Sequence, residues 1–191
     1  TQVKAAGVDF AMLRLGFRGY GQGTMNLDKY FLANLSGASA AGIKVGVYFF
    51  SQAITEDEAR EEADYVINSL AATDVELSYP IVFDEEPITD GNVARTDDLT
   101  AAQFSANALA FCQRVEQAGY TPMLYGNKHE LAKLDLKGEL AGYDVWYAEY
   151  GVSQPTGKFD FVMWQYSDTG NIPGVVTSAG QVDLNIRFLV A

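Results

Sequence analysis

The sequence is poor in several residue types that mark common protein classes. Its 191 residues include one cysteine, one histidine and 13 lysines and arginines. A single cysteine excludes an intrachain disulfide and a thiolate metal cluster. The 25 aspartates and glutamates give a formal net charge of −12, and no basic cluster offers the cations that phosphates demand, so we predict no nucleic-acid partner. No apolar run approaches the roughly 20 residues that span a bilayer, and residues 1–7 lack a signal-peptide pattern. We therefore expect no membrane partner.

What remains is the composition of an ordinary globular protein. Hydrophobic residues make up 48% and charged residues 20% of the chain. No linker or low-complexity stretch divides it, and its length suits one domain. We predict a single domain over residues 1–191 that is monomeric.

A helix end, a glycine and an apolar strand follow one another at three places. The junctions lie at residues 5–8, 40–43 and 117–120, with glycine at 7, 42 and 119. Glycine just past a helix end adopts the left-handed conformation that terminates the helix. The strands that follow are nearly continuous apolar runs, which is typical of a parallel sheet buried on both faces. The fold class is therefore α/β.

Strand and helix patterns together indicate a (β/α) barrel. Helices are predicted at about 28–41, from the capping box Thr55-x-x-Glu58, and at about 100–118. Seven strands are predicted near residues 10, 45, 81, 123, 145, 162 and 184, the fifth to seventh at 144–148, 161–165 and 182–189. A closed barrel has eight. Because residues 3–6 resemble the tail of a helix, which would follow a strand, we expect the chain to lack the first strand of the barrel.

The strongest chemical signal is a run of three carboxylates, Asp84, Glu85 and Glu86, at the end of an apolar strand. Side chains alternate along a strand, so Asp84 and Glu86 point to one side and Glu85 to the other. Active sites of barrels gather at the carboxyl ends of strands. Two carboxyls in one pocket raise the pKa of one of them, which suits general acid catalysis as in glycosidases. A solvated acidic loop or a metal site would have the same pattern.

Aromatic residues stand near the ends of several other strands. Sugar rings stack on aromatic faces, and Gln165 and the tyrosine hydroxyls can bond sugar hydroxyl and amide groups, so the set favours a carbohydrate cleft. Barrel core is the alternative for each residue taken alone. The set consists of Tyr48, Phe50, Tyr125, Trp146, Tyr150, Trp164 and Tyr166.

Four further polar or reactive residues stand outside these two groups. Asp183 opens the last predicted strand, where an aspartate by position is usually a turn or cap residue. Arg14 is a charge in an apolar strand, so we expect it to face a carboxylate. His129 lies in a polar helix start beside Lys128 and Glu130, which indicates the surface, and Cys112 lies on an apolar helix stripe, which indicates the core.

Taken together, these segments resemble glycoside hydrolase family 25, the Chalaropsis-type lysozymes. The Asp84-x-Glu86 pair is similar to the signature of that family. Other segments resemble its recurring motifs in the same order over nearly the whole chain: Gly7–Ala11, Gly46–Phe50, Trp146–Tyr150, Trp164–Ser167 and Val182–Asn185.

The resemblance implies an irregular (β/α) barrel, like a TIM barrel with few helices near its C-terminal end. It implies a muramidase that hydrolyses the β-1,4 bond between N-acetylmuramic acid and N-acetylglucosamine in bacterial peptidoglycan, outside the cell or in the wall, without metal or organic cofactor. Glu86 would be the general acid/base. Asp84 would orient the substrate, assisting its N-acetyl group as nucleophile, and Asp183 would support the same site. The predicted substrate-binding residues are Tyr48, Tyr125, Trp146, Tyr150, Trp164, Gln165, Tyr166 and Arg14.

Two departures from the family pattern leave other functions open. The family carries an acidic residue in a first-strand segment that this chain does not contain, and it often has an apolar residue where Glu85 stands. One alternative is a peptidoglycan-binding module that hydrolyses nothing. The other is a metal-dependent barrel enzyme in which Asp84, Glu85 and Glu86 bind Mg²⁺ or Ca²⁺.

Overall fold

Strands and helices alternate along most of the chain, as predicted. A computed structural model describes residues 1–89, 91–177 and 180–188. The elements in chain order are α1 (Gln2–Ala5), β1 (Phe10–Arg18), β2 (Met25–Leu27), α2 (Phe31–Ala40), β3 (Lys44–Phe50), α3 (Glu56–Ala71), β4 (Ile81–Asp84), α4 (Ala101–Gln117), β5 (Pro122–Asn127), α5 (Lys128–Leu131), β6 (Asp144–Ala148), β7 (Met163–Gly170) and β8 (Val182–Arg187).

Helix ends and starts follow the sequence signals. Gly42 after α2 and Gly119 after α4 have φ angles of 68° and 85°, the left-handed conformation predicted for these junctions. The capping box of α3 is also confirmed, because Thr55 Oγ1 accepts the Glu58 backbone N–H at 3.2 Å and Glu58 Oε2 accepts that of Ile54 at 2.9 Å. These local interactions let each helix end close to the point where the next strand begins.

All strands of the described residues form one curled sheet with the order β2-β1-β3-β4-β5-β6-β7-β8. Strands β1 and β3 to β7 run parallel, whereas β2 and β8 pair antiparallel with their neighbours. Over the described residues the sheet does not close, since β2 and β8 are its two ends. An irregular (β/α) barrel of incomplete closure is thus confirmed, and the expected absence of a first strand stays a prediction.

The predicted count of seven strands was wrong, because β2 adds an eighth. Strand β2 is three residues long and pairs antiparallel with the end of β1 as a short hairpin, in which Leu27 is opposite Gly16. The strand predicted at 161–165 begins two residues later and continues to Gly170. The last strand ends at Arg187 among the described residues, and its predicted end at residue 189 lies outside them.

The outer face of the sheet and the helices share the main hydrophobic core. Leu35 of α2, Val66 of α3 and Phe111 of α4 are buried there with Val47 and Phe83 of the sheet. Fully burying side chains of this size stabilises a fold by about 1.5–3 kcal/mol each. The apolar stripes read from the helices, including the predicted burial of Cys112, are confirmed. In the part of the chain described, no helix is long and apolar enough to cross a membrane.

The inner face of the sheet forms a second, smaller cluster. Val82, Met123, Trp146 and Met163 alternate with outward-facing neighbours along β4 to β7 and fill the barrel interior. Partly buried Tyr48 also packs against them. Side chains that continue this inner face past the strand ends therefore point into the mouth of the barrel.

A buried ion pair connects β1 with α3. Arg18 Nε donates to Glu62 Oε1 at 2.7 Å, and the two side chains are 5% and 0% exposed. Burial raises the pKa of Glu62 to about 7, although bonds from Ser51 and Arg18 oppose the shift. Removal of either side chain would leave the other as an unpaired buried charge, which would destabilise the fold.

Candidate active site

The three carboxylates lie where β4 ends, at the carboxyl edge of the parallel strands. Asp84 is in register with Phe50 of β3 and Tyr125 of β5. It follows Val82 on the inner face, whereas Glu85 follows Phe83 on the outer face. Asp84 and Glu85 are buried, and Glu86 is partly exposed. The strand thus places Asp84 and Glu86 toward the barrel mouth and turns Glu85 away.

Burial and mutual repulsion keep a proton on the Asp84 and Glu86 pair. Burial raises the pKa of Asp84 well above its usual range, and the charge of Glu86 adds to the rise while Arg14 opposes it. Burial likewise raises the pKa of Glu86; the Tyr125 hydroxyl opposes the rise, and Asp183 is among the charges that add to it. Within the described part of the chain, Asp84 Oδ1 has no hydrogen-bond partner. Two close carboxyls that cannot both ionise are suited to donate one proton.

Tyrosine hydroxyls and one amide form a polar wall beside Glu86. The Tyr125 hydroxyl donates to Gln165 Oε1 at 2.8 Å, and the Tyr150 hydroxyl bonds the same oxygen. A phenol has one proton to donate, so Tyr125 donates either to Gln165 or to Glu86. Burial raises the pKa of Tyr150 to about 12, which keeps its hydroxyl protonated as a donor.

Aromatic side chains continue this wall on the inner face. Trp146 packs edge-on against Tyr125 and Tyr48, with ring centroids 4.6 and 6.2 Å away. Its Nε1 donates to Asn185 Oδ1 of β8 at 2.8 Å. Trp146 and Tyr125 are largely buried, whereas Tyr150 is 42% exposed. Tyr150 therefore offers more open ring surface to a ligand than the two aromatics behind it.

Arg14 and Asp183 flank the carboxylates from opposite ends of the sheet. Arg14 faces a carboxylate as predicted: its Nη2 lies 2.7 Å from Asp28 Oδ2. Burial acts to raise the pKa of Asp28, but the Tyr30 backbone N–H and Arg14 outweigh it and lower the pKa. Asp183 is exposed at the start of β8, and its charge acts on Glu86, Tyr48 and Tyr150.

Trp164 and Tyr166 are not brought to the carboxylates. Met163 and Gln165 of β7 face inward, so Trp164 between them faces outward and joins the main core. Its Nε1 donates to the Glu149 carbonyl at 2.9 Å, and its ring lies 5.7 Å from that of Tyr166. Of the predicted aromatic wall, the structure gathers Tyr48, Tyr125, Trp146 and Tyr150.

Sequence reasoning missed two acidic residues near the site. Asp28 follows the unpredicted strand β2, and Glu130 belongs to the polar segment around His129 for which the sequence predicts a surface position. His129 is exposed as predicted, but Glu130 beside it is 4% exposed. The signal in the sequence was the position of Glu130: an acidic residue that lies a few positions past the end of a strand is at the same edge of the sheet as Asp84 and Glu86.

The loops around the barrel mouth are connected by Arg95. Its backbone N–H donates to the Tyr20 carbonyl at 3.2 Å, its Nη1 to the Gln52 carbonyl at 3.1 Å and its Nη2 to Glu58 Oε1 at 2.6 Å. Gly23 has a φ of 68°, a conformation that strains other residues, and a Cβ there would lie 2.6 Å from Arg95 Nη1. One arginine thus ties the loops that follow β1, β3 and β4.

The described residues were also compared with the ligand set that a metal ion needs. Among residues 1–89, 91–177 and 180–188, no group of three or more His, Cys, Asp or Glu is arranged to hold a metal ion. Asp84 and Glu85 point to opposite faces, which separates two of the three ligands that a metal-dependent enzyme would use.

Comparison with known proteins gives one family over most of the chain. The sequence model described as "Glycosyl hydrolases family 25" matches residues 1–175. Among curated proteins, the chain is 25% identical over 188 residues to the "Autolytic lysozyme" of Clostridium acetobutylicum, covering 98% of this chain and 52% of that protein. It is 28% identical over 193 residues to "Lysozyme M1" of Streptomyces globisporus, covering 97% and 62%.

Solved structures agree with the sequence comparison. The bacterial lysozyme from Streptomyces coelicolor superimposes with a TM-score of 0.76 at 26% identity, covering 97% of this chain and 84% of that one. The chain spans about half to three fifths of the length of the two curated relatives.

Proposed function

The chain belongs to glycosyl hydrolase family 25, and from this membership and the geometry of the site we propose that it is a muramidase. Its substrate is the β-1,4 bond between N-acetylmuramic acid and N-acetylglucosamine in bacterial peptidoglycan. It acts at the cell wall or outside the cell, as one catalytic domain over residues 1–191, and as a monomer.

One observation carries the proposal: Asp84 and Glu86 share the barrel mouth and repel each other. The pKa of both carboxyls is raised, and Glu86 is the more exposed of the two, so it is the one that reaches the leaving sugar oxygen and donates the proton. After the leaving group departs, the same carboxylate accepts the proton of the attacking water. Asp84 lies deeper and orients the substrate, including its N-acetyl group, and Asp183 adds negative charge that favours a cationic transition state.

The polar and aromatic wall holds the sugar in place. Tyr150 presents the exposed ring, and Gln165, which accepts from the Tyr125 and Tyr150 hydroxyls, holds both tyrosine side chains in place. Tyr48 and Trp146 support them from behind. Side chains that are already fixed in position lower the entropy lost when the substrate reaches a reactive geometry.

Release of new reducing ends from purified peptidoglycan tests the proposal. The Glu86→Gln variant keeps the shape of the side chain and removes its proton donor, so it should release none while its melting temperature stays within a few degrees of the parent. Pelleting of both proteins with the wall, without release by either, would instead favour the non-hydrolytic binding module. Release by Glu86→Gln at the parent rate would exclude Glu86 from the acid role.

A further inference from the structure

An arginine of β1, Arg14, lies on the inner face of the sheet close to the barrel mouth. Phe10 and Met12 of the same strand pack against the inner cluster, and Arg14 continues their row. In the register of the sheet Arg14 is opposite Tyr48 of β3, which also packs on the inner face. The register shifts directly after Arg14, an irregularity of the kind that redirects side chains near active sites. Arg14 therefore points towards the groove and not into the outer core.

Asp28 holds one edge of the Arg14 guanidinium. Its Oδ2 accepts from Arg14 Nε at 2.8 Å and lies 2.7 Å from Arg14 Nη2. Asp28 is itself fixed by the backbone, because its Oδ1 accepts the Tyr30 N–H at 2.8 Å and its own N–H donates to the Leu15 carbonyl at 2.8 Å. The guanidinium also lies over the Phe17 ring, with Cζ 5.6 Å from the ring centroid. These contacts fix the plane of the guanidinium before a ligand binds.

The guanidinium has a second edge that suits a ligand. Its five N–H donors form a planar fork, and Asp28 engages those of Nε and Nη2 on one side. Nη1 and the second N–H of Nη2 form the other side, which has the spacing that a carboxylate accepts in two parallel bonds. The Arg14 side chain is 47% exposed. An ion pair this open to water contributes little to folding, so stability alone does not account for a charge on the inner face.

Arg14 lies within reach of a sugar bound at the carboxylates. Strand β3 separates β1 from β4, so two strand spacings, about 10 Å, lie between the rows that carry Arg14 and Asp84. The charge of Arg14 acts across this gap, since it opposes the rise in the pKa of both Asp84 and Tyr48. N-acetylmuramic acid has a lactyl arm that N-acetylglucosamine lacks, and the arm ends in a carboxylate or in a peptide with carboxylates of its own. The long arginine side chain and this arm together cover the separation.

We propose that Arg14, held by Asp28, binds the carboxylate that N-acetylmuramic acid carries on its lactyl arm or on the attached peptide. Asp84, Glu86 and Asp183 around the same groove cannot attract an anion, so the recognition falls to Arg14. Because N-acetylglucosamine has no such carboxylate, Arg14 helps to determine which sugar lies on the β1 side of the groove. The inference rests on the proposed function, since it takes the muramyl glycan as the ligand.

The test compares acidic and neutral forms of one glycan. Peptidoglycan strands freed of peptide by an amidase carry a free lactyl carboxylate, and carbodiimide coupling to methylamine converts it to a neutral methylamide. Arg14→Gln should lower kcat/KM about three- to tenfold more on the acidic strands than on the methylamide strands, the value of a hydrogen bond to a charged group after allowance for solvent. If the bound carboxylate belongs to the peptide, the extra loss appears on intact peptidoglycan and not on the peptide-free strands.

Matched variants separate this role from a structural one. Arg60 of α3 is 44% exposed and pairs with Asp57 at 2.7 Å and Glu56 at 3.3 Å on a helix that packs outside the sheet. Arg60→Gln should therefore leave the ratio of kcat/KM on acidic and methylamide strands as it is in the parent. Arg14→Lys keeps the charge but not the fork, so it should lose less of the ratio than Arg14→Gln. Should Arg14→Gln not fold, Arg14→Met also removes every donor and should lower the ratio equally.

Each outcome decides the point. Equal losses on acidic and methylamide strands, with no greater loss on intact peptidoglycan, in a folded Arg14→Gln or Arg14→Met protein would overturn the inference and leave the proposed function standing. Dissociation constants of the same strands, measured by calorimetry, cover the opposite case. A parent that releases no reducing ends, but whose affinity for the acidic strands falls in Arg14→Gln, would contradict the proposed function and support the binding role of Arg14.

Discussion

Replacing Glu85 by glutamine should stabilise the protein in neutral and alkaline solution. Glu85 is 3% exposed, and its Oε2 has no hydrogen-bond partner among residues 1–89, 91–177 and 180–188. Burial, followed by repulsion from Glu62, raises its pKa from 4.5 to about 9. The folded protein therefore keeps the proton at neutral pH, and Glu85→Gln imitates that protonated form without being able to ionise.

The size and sign follow from proton linkage. Between pH 4.5 and 9 the folded state holds a proton that the unfolded state has released, so stability is lost as pH rises through this window. The loss is about 1.4 kcal/mol per pH unit. It amounts to roughly 3 kcal/mol at pH 7 and roughly 6 kcal/mol at pH 9, a large part of the roughly 5–15 kcal/mol of a typical domain. Glu85→Gln removes this loss.

Denaturant unfolding at pH 5, 7 and 9 measures the effect. The free energy of unfolding of Glu85→Gln minus that of the parent should be close to zero at pH 5 and should grow with each step. The control is Glu76→Gln, which removes a carboxyl that is exposed and should give a difference that is nearly independent of pH. A difference for Glu85→Gln that does not change between pH 5 and 9 would refute the reasoning, because it would mean that Glu85 ionises in the folded protein.

Four other outcomes follow from the same structure. Arg18→Met leaves the Glu62 carboxylate buried without its cation, so at pH 8, above the Glu62 pKa of about 7, we expect the free energy of unfolding to fall by about 3–5 kcal/mol. At pH 5, where Glu62 is neutral, the loss should be smaller. Equal losses at the two pH values would argue against the ion pair. Asp84→Asn should lower kcat by about 10²-fold or more with little change in melting temperature, and a loss of stability alone would make Asp84 structural. Gln165→Leu removes the acceptor of two tyrosine hydroxyls and should reduce kcat/KM about tenfold, the value of one lost hydrogen bond; unchanged kinetics would leave Gln165 without a role. EDTA should alter neither activity nor melting temperature, and a fall in both that Mg²⁺ or Ca²⁺ restores would favour the metal-dependent alternative.

Features with strong local causes could be predicted from the sequence. The capping box at Thr55 and the glycines at 42 and 119 determine helix ends within one turn, and apolar periodicity then gives the buried faces of α3 and α4. The opposite orientations of Asp84 and Glu85 follow from strand alternation alone.

Features that depend on packing between distant segments could not be predicted. Strand β2 has three residues, too few for a pattern, and exists because its backbone pairs with the end of β1. The four-residue helix α5 likewise carries no periodicity, so Glu130 was indistinguishable from a surface acid. Trp164 was placed in the groove because it lies near a strand end, but the face it occupies depends on the strand register, which puts Met163 and Gln165 inside.

The identity of the sugar at the newly formed reducing end tests the central claim most directly. Peptidoglycan digested by the protein is reduced with borohydride, and the sugar alcohols are identified by mass spectrometry after acid hydrolysis. A muramidase that uses Glu86 as its acid produces muramitol, and Glu86→Gln produces none. Glucosaminitol in place of muramitol, or no sugar alcohol above the undigested control, would contradict the account.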